Sequence, residues 1–200
     1  MKNLFYVLCA AFIVLIVAAC SRQPDVTSEG KVYNNLLFIG AYDDRQYRVS
    51  AETLFTDVLK KEGIDAAASY NLLPGLENIQ SNTQVADKLK GTKYDGVLIV
   101  TVLAKRDSLV TDSYETSKGF VYLLDGRPRR SAERGSFIAW ADAGPFEIYA
   151  GLWDAQTLRP VWQITTDAKT TGSDTKDNTL LAGFVAEQLK KKGLVKLQNK

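Results

Sequence analysis

Sixteen apolar residues, Leu4 to Ala19, run without a charge and stop at Cys20. This block decides how much chain is left to fold. Lys2 gives it a positive start, and Val17-Ala18-Ala19 place small residues just ahead of the cysteine. A charged start, a short greasy middle and a small-residue end are the layout of a removable secretory leader. A membrane-spanning helix needs about 20 apolar residues. This run is shorter, and the polar stretch Ser21 to Lys31, with Pro24 inside it, follows at once. The fold is therefore expected from the 181 residues that begin at Cys20. That is the length of one ordinary domain.

Val17-Ala18-Ala19-Cys20 resembles the lipobox of bacterial lipoproteins. The resemblance implies removal of residues 1–19, diacylglycerol on the Cys20 sulfur and a further acyl chain on its amine. Each buried methylene contributes about 0.8 kcal/mol, so several chains hold a domain on a membrane almost irreversibly. Ser21, where an aspartate would retain the protein, fits the sorting rule by which enteric-type bacteria deliver lipoproteins to the outer membrane, on its periplasmic face. The chain has two cysteines, and Cys9 lies in the leader. With Cys20 lipidated, no disulfide forms within one chain, and the domain must rely on its core.

Residues 20–34 read as the lipidated cysteine and a polar tether, and residues 35–200 as a single globular domain. Leu36-Leu37-Phe38-Ile39-Gly40 is a short continuous apolar run, as in a strand buried on both faces. A helix follows. Ser50 is its expected cap, Glu52 its first-turn acid, and Ala51, Leu54, Phe55, Val58 and Leu59 its apolar face. Ile64 to Tyr70 reads as a second strand, and Leu72 to Asn82 as a loop around Pro74-Gly75. A short helix with a Ser81/Gln84 capping box turns Val85 and Leu89 inward. Tyr94 to Leu103 is the most apolar strand of the mature chain and is expected at the centre of the sheet.

Beyond it the pattern changes to strands alone: Gly119 to Leu124, Ser136 to Ala141, Phe146 to Trp153 and Pro160 to Thr166. Asp154 to Arg159 is the expected hairpin loop between the last two. A closing helix from Asp174 to Lys192 has Leu180, Leu181, Phe184, Val185 and Leu189 as its face. Three helices end in a lysine-flanked glycine, at Gly63, Gly91 and Gly193, which is a helix stop signal.

Two strand-helix-strand units followed by antiparallel hairpins predict an α+β fold: one mixed sheet with helices packed on one face. The order resembles small bacterial lipoproteins whose domain is of the TolB amino-terminal type. The likeness is carried by Leu36 to Gly40, the helix ending at Gly63, Tyr94-Asp95-Gly96-Val97-Leu98, and the hairpin from Leu152-Trp153-Asp154 to Val161-Trp162. It covers roughly residues 35 to 194, and it implies a binding or assembly module without catalysis.

The chain has no histidine, which removes Ser-His-Asp and Cys-His catalysis and histidine-containing zinc sites. No phosphate loop and no Gly-x-Ser-x-Gly elbow occur. No cofactor and no metal site are expected. Asp43-Asp44 with Arg45 and Arg48 form either an anion or peptide site or a solvated loop before a helix. Arg127, Arg129, Arg130 and Arg134 are the candidate partner-binding residues, for lipid head groups, an acidic glycan or an acidic protein; the plainer reading is a hairpin tip kept soluble by charge. Nucleic acid is not expected, because the formal net charge is only +2 and no aromatics interleave these arginines. Trp140, Trp153, Trp162 and Tyr149 suggest core or cross-strand pairs ahead of a sugar platform. Lys190 to Lys192 complement a helix end or face a membrane.

The reading is a lipid-anchored, non-enzymatic binding or assembly module of the cell envelope, with a protein or glycan partner. The alternatives are a carboxylate-dependent envelope glycan hydrolase, which needs a pair of acids across a cleft, and a small-ligand carrier, which needs a closed apolar cavity.

Overall fold

A computed structural model describes residues 30–42, 45–75, 82–104 and 146–198. They form β1 (Leu36–Gly40), α1 (Arg45–Lys61), β2 (Ala66–Ala68), α2 (Asn82–Leu89), β3 (Gly96–Ala104), β4 (Phe146–Asp154), β5 (Pro160–Ala168) and α3 (Asp174–Lys191). The five strands make one mixed sheet in the order β2-β1-β3-β4-β5. β1 pairs in parallel with β2 (Leu36 opposite Ala66) and with β3 (Leu36 opposite Gly96). β3 pairs antiparallel with β4, and β4 with β5. The fold is α+β, and the apolar strand β3 is central, as its sequence predicts.

Strand alternation divides the interior in two. Leu36 and Phe38 of β1, with Leu98 and Val100 of β3, face a layer holding Phe55 and Leu59 of α1 and Leu181, Val185 and Leu189 of α3. The rings of Phe38 and Phe55 stack at 4.1 Å. Leu37, Ile39, Val97 and Ile99 face the other way, onto Val85 and Leu89 of α2. The expectation of helices on one face thus holds for α1 and α3 and is corrected for α2. A crossover from edge strand β2 to β3 passes over β1, and right-handedness puts its helix on the opposite side from the β1–β2 crossover.

Two helical faces are rotated from their expected positions. α1 starts at Arg45, so Ser50 lies inside it and its hydroxyl donates to the Tyr47 carbonyl at 2.8 Å. Glu52 is therefore no first-turn acid. The buried stripe is Arg48, Ala51, Glu52, Phe55, Thr56 and Leu59, with Leu54 and Val58 only half-buried. In α3 the buried stripe runs through Asn178, Leu181, Ala182, Val185, Ala186 and Leu189, and Leu180 is 58% exposed. Both helices bury small or hydrogen-bonded polar residues, which a count of apolar residues misplaces. The cap of α3 is Ser173, whose hydroxyl accepts from the Lys176 N–H.

Gly63, Gly91 and Gly193 end the helices at φ of +81°, +73° and +65°, as their stop signals predict. Gly151 has a different cause. A Cβ there would lie 2.6 Å from the Trp153 ring, so the missing side chain makes room for the indole. The β4–β5 turn is tied by Asp154, whose Oδ1 accepts the N–H groups of Gln156 and Thr157 at 3.0 and 2.9 Å. Ser81 and the expected strands at 119–124 and 136–141 lie outside the described residues.

Candidate functional site

Arg48 and Glu52 stand one turn apart on α1, and their side chains are 3% and 0% exposed. Arg48 Nε donates to Glu52 Oε1 at 2.8 Å, and Arg48 Nη2 donates to Ser69 Oγ at 2.7 Å. The Ser69 hydroxyl in turn donates a hydrogen bond to Glu52 Oε1, 2.8 Å away. The carboxylate also accepts three backbone N–H groups: Gly40 at 3.1 Å, Ser69 at 2.7 Å and Tyr70 at 3.0 Å. A buried charge is tolerated when it is paired and its remaining lone pairs are filled, and both conditions are met. The result is a tie between the end of β1, the end of β2 and the middle of α1. Arg48, expected either in an anion or peptide site or in a solvated loop, is instead buried inside this network.

The tie shapes a groove. Holding the Ser69–Tyr70 turn against α1 opens a space of about 290 Å³ beside edge strand β2. α1 contributes Thr53, Asp57 and Lys60, the strand contributes Ala67 and Ala68, and the turn contributes Tyr70 and Asn71. Tyr94 lines it from the foot of β3. Along this edge the backbone has donors and acceptors. Leu36 N donates to the Asp65 carbonyl at 2.9 Å and Ser69 N to the Phe38 carbonyl at 3.0 Å. A parallel ladder alternates, so Ala66 and Ala68 turn their peptide groups away from β1. Ala67 and Ala68, half-buried, line the groove with small side chains, and Ala66 is buried beside it. The groove can hydrogen-bond an extended polar ligand while stacking it on tyrosine.

A second polar cluster closes the opposite end of β1. Asp154 Oδ2 accepts from Lys31 Nζ and from the Tyr33 hydroxyl. Burial works against ionisation of Asp154. Hydrogen bonds from Lys31 and Thr157 outweigh it and bring the carboxyl from its usual 3.8 down to about 2. Burial, with Asp154 beside it, pushes the Tyr33 phenol well up. These contacts clasp the start of the domain to the β4–β5 turn. Nearby, Asp95 accepts the N–H groups of Asn34 and Asn35 at 2.8 and 2.9 Å.

Cys20, Asp43, Asp44, Arg127, Arg129, Arg130, Arg134 and Trp140 lie outside the described residues. Trp153 and Tyr149 are buried on one face of the sheet and Trp162 on the other, so they are core and form no common platform. Lys190 at the end of α3 pairs with Glu62. The groove was not legible in the sequence. Its one local signal is the i, i+4 spacing of Arg48 and Glu52; the Ser69 partner is 17 residues away from Glu52. Among the described residues no helix is long and apolar enough to cross a membrane, and no cluster of three potential metal-ligating side chains occurs.

No protein-family model matches the chain, and no curated protein matches it. Solved structures do. The lipoprotein GNA1162 from Neisseria meningitidis is 12% identical, with 79% of this chain and 95% of that one covered and a TM-score of 0.37. A PelC dodecamer from Paraburkholderia phytofirmans is 12% identical, with 84% and 91% covered and a TM-score of 0.38. Overlaps of this size assign neither an activity nor a partner.

Proposed function

We propose that this chain is a lipid-anchored lipoprotein of the bacterial cell envelope, held through Cys20 on the periplasmic face of the outer membrane. It works there as a non-enzymatic binding or assembly module. The anchor reading is supported by the apolar leader and the lipobox-like Val17-Ala18-Ala19-Cys20. The binding reading is carried by one observation: a groove along the β2 edge where Ala67 and the outward peptide groups of Ala68 meet Tyr70, Asn71 and Tyr94. Backbone groups at an open edge take an extended chain, and tyrosines take its side chains or sugar rings. Among the described residues that line it, the groove offers one carboxylate, Asp57; glycoside hydrolysis uses two.

Site-specific photocrosslinking in intact cells tests this. A photoreactive residue at Asn71 is expected to trap a discrete envelope partner, while the same residue at exposed Leu180 on α3 is expected to trap none. Equal, diffuse products at the two positions would refute the groove as the binding site.

A further inference from the structure

The cations of this fold are concentrated at one end. Helices α1, α2 and α3 all run opposite to the parallel strands, so their C-termini and the starts of β1, β2 and β3 share that end. The β4–β5 turn lies there too, since β4 descends from Phe146, opposite Ala104, to Asp154, opposite Gly96. Lys60, Lys61, Arg159, Lys191, Lys192 and Lys196 are exposed and have no acidic partner among the described residues. At the other end, Asp167, Asp174 and Asp177 stand with Lys169 and Lys176.

Complementing helix dipoles explains lysines in a last turn. It does not explain Arg159 in a hairpin or Lys196 in the tail. Nor does it explain the exposed apolar residues among them. Val32 is 45% exposed and Leu197 49%. Their segments run side by side, joined by the bridge between Tyr33 and Val195. Unpaired cations around a few exposed apolar side chains match the chemistry of a phospholipid surface.

Chain length sets the direction. The described chain begins at Gly30, beside Lys31, at this same end. Gly30 stands ten positions after Cys20, and ten residue steps span at most about 35 Å when fully extended. A lipid on Cys20 therefore keeps the lysine end near the bilayer.

We propose that the lysine-rich end docks on an anionic phospholipid surface, with Val32 and Leu197 at the head-group level. The β2 groove then opens sideways, parallel to the membrane, and β3 and β4 present their Ala104 and Phe146 ends away from it. The proposal rests on the anchor at Cys20 only for the direction of approach.

The mature chain has no cysteine besides Cys20, so one introduced thiol can be labelled in the full-length lipidated protein. Gln156→Cys reports the lysine end and Thr175→Cys the opposite end. Each labelled protein is reconstituted into vesicles of phosphatidylcholine, with and without phosphatidylglycerol, carrying a head-group quencher. The expected result is several-fold stronger quenching at position 156 when phosphatidylglycerol is present. Salt near 1 M should abolish the gain, because it shortens the reach of exposed charges to about 3 Å, and so should Lys61→Glu with Lys191→Glu and Lys192→Glu. Position 175 should not respond. Quenching at 156 that ignores phosphatidylglycerol, or an equal response at 175, would overturn the proposal. The salt arm uses unaltered lysines, so misfolding of the triple variant cannot mask the answer. Flotation with vesicles in high salt judges the lipid anchor separately. A protein that fails to float has no anchor, and its low-salt quenching still judges the face.

Discussion

Replacing Glu52 with Gln removes a charge and almost no volume. Five donors now converge on the carboxylate: Arg48 Nε, the Ser69 hydroxyl and the N–H groups of Gly40, Ser69 and Tyr70. An amide can accept at one oxygen only, and its NH₂ would face donors. Arg48 would keep a buried charge without its partner. Breaking a buried pair from one side costs about 3–5 kcal/mol, so Glu52→Gln is expected to lower unfolding free energy by about 3 kcal/mol or more in urea titrations followed by tryptophan fluorescence. A loss under about 1 kcal/mol would show that the network is no stronger than an exposed pair.

The helices show where periodicity succeeds and where it slips. α1 and α3 form around the predicted apolar spacing, α1 starting at Arg45, ahead of its expected cap Ser50, and both stop at their glycines. Their faces turn because Glu52, Thr56 and Asn178 are buried with hydrogen-bond partners, while Ala182 and Ala186 bring α3 close to its neighbours. Leu180 is the casualty of this rotation. Leu180→Lys is expected to change stability by less than about 0.5 kcal/mol, as surface substitutions do. Leu181→Ala, one position on, is expected to cost about 2–4 kcal/mol. Thermal unfolding of the two variants checks the rotation directly; equal losses would restore the face centred on Leu180.

Chain ends that are far apart in sequence meet at one end of the sheet, and an acid holds them. Asp154 joins Lys31 and Tyr33, 123 and 121 residues away, to the β4–β5 turn. Its carboxyl titrates near 2 in the folded state against 3.8 for an ordinary aspartate. A lowered folded value means that the stabilisation is complete above about pH 4 and is lost as pH falls through 2. Asp177, also lowered despite its burial by hydrogen bonds from Thr170 and Thr171, contributes in the same direction. Asp154→Asn should therefore cost about 2 kcal/mol at neutral pH and flatten the acid limb of stability between pH 4 and 2, measured by urea unfolding at each pH. An acid limb identical to that of the unaltered chain would show that this clasp contributes nothing to it.

Reading residues in order sufficed for what is encoded locally. A run such as Leu36 to Gly40, a lysine-flanked glycine and an aspartate at a hairpin carry their conformational reasons within a few residues, because backbone sterics and side-chain period act at that range. The mixed sheet and central β3 followed from the order and greasiness of those units. Only the folded chain decided which face of α1 is inside, because that required Ser69 and Gly40 to satisfy Glu52. Only the topology gathered Lys60, Lys61, Arg159 and Lys191 at one end and opened a groove beside β2. Charges and peptide groups act across space, and the neighbours that give them meaning come from distant positions along the chain.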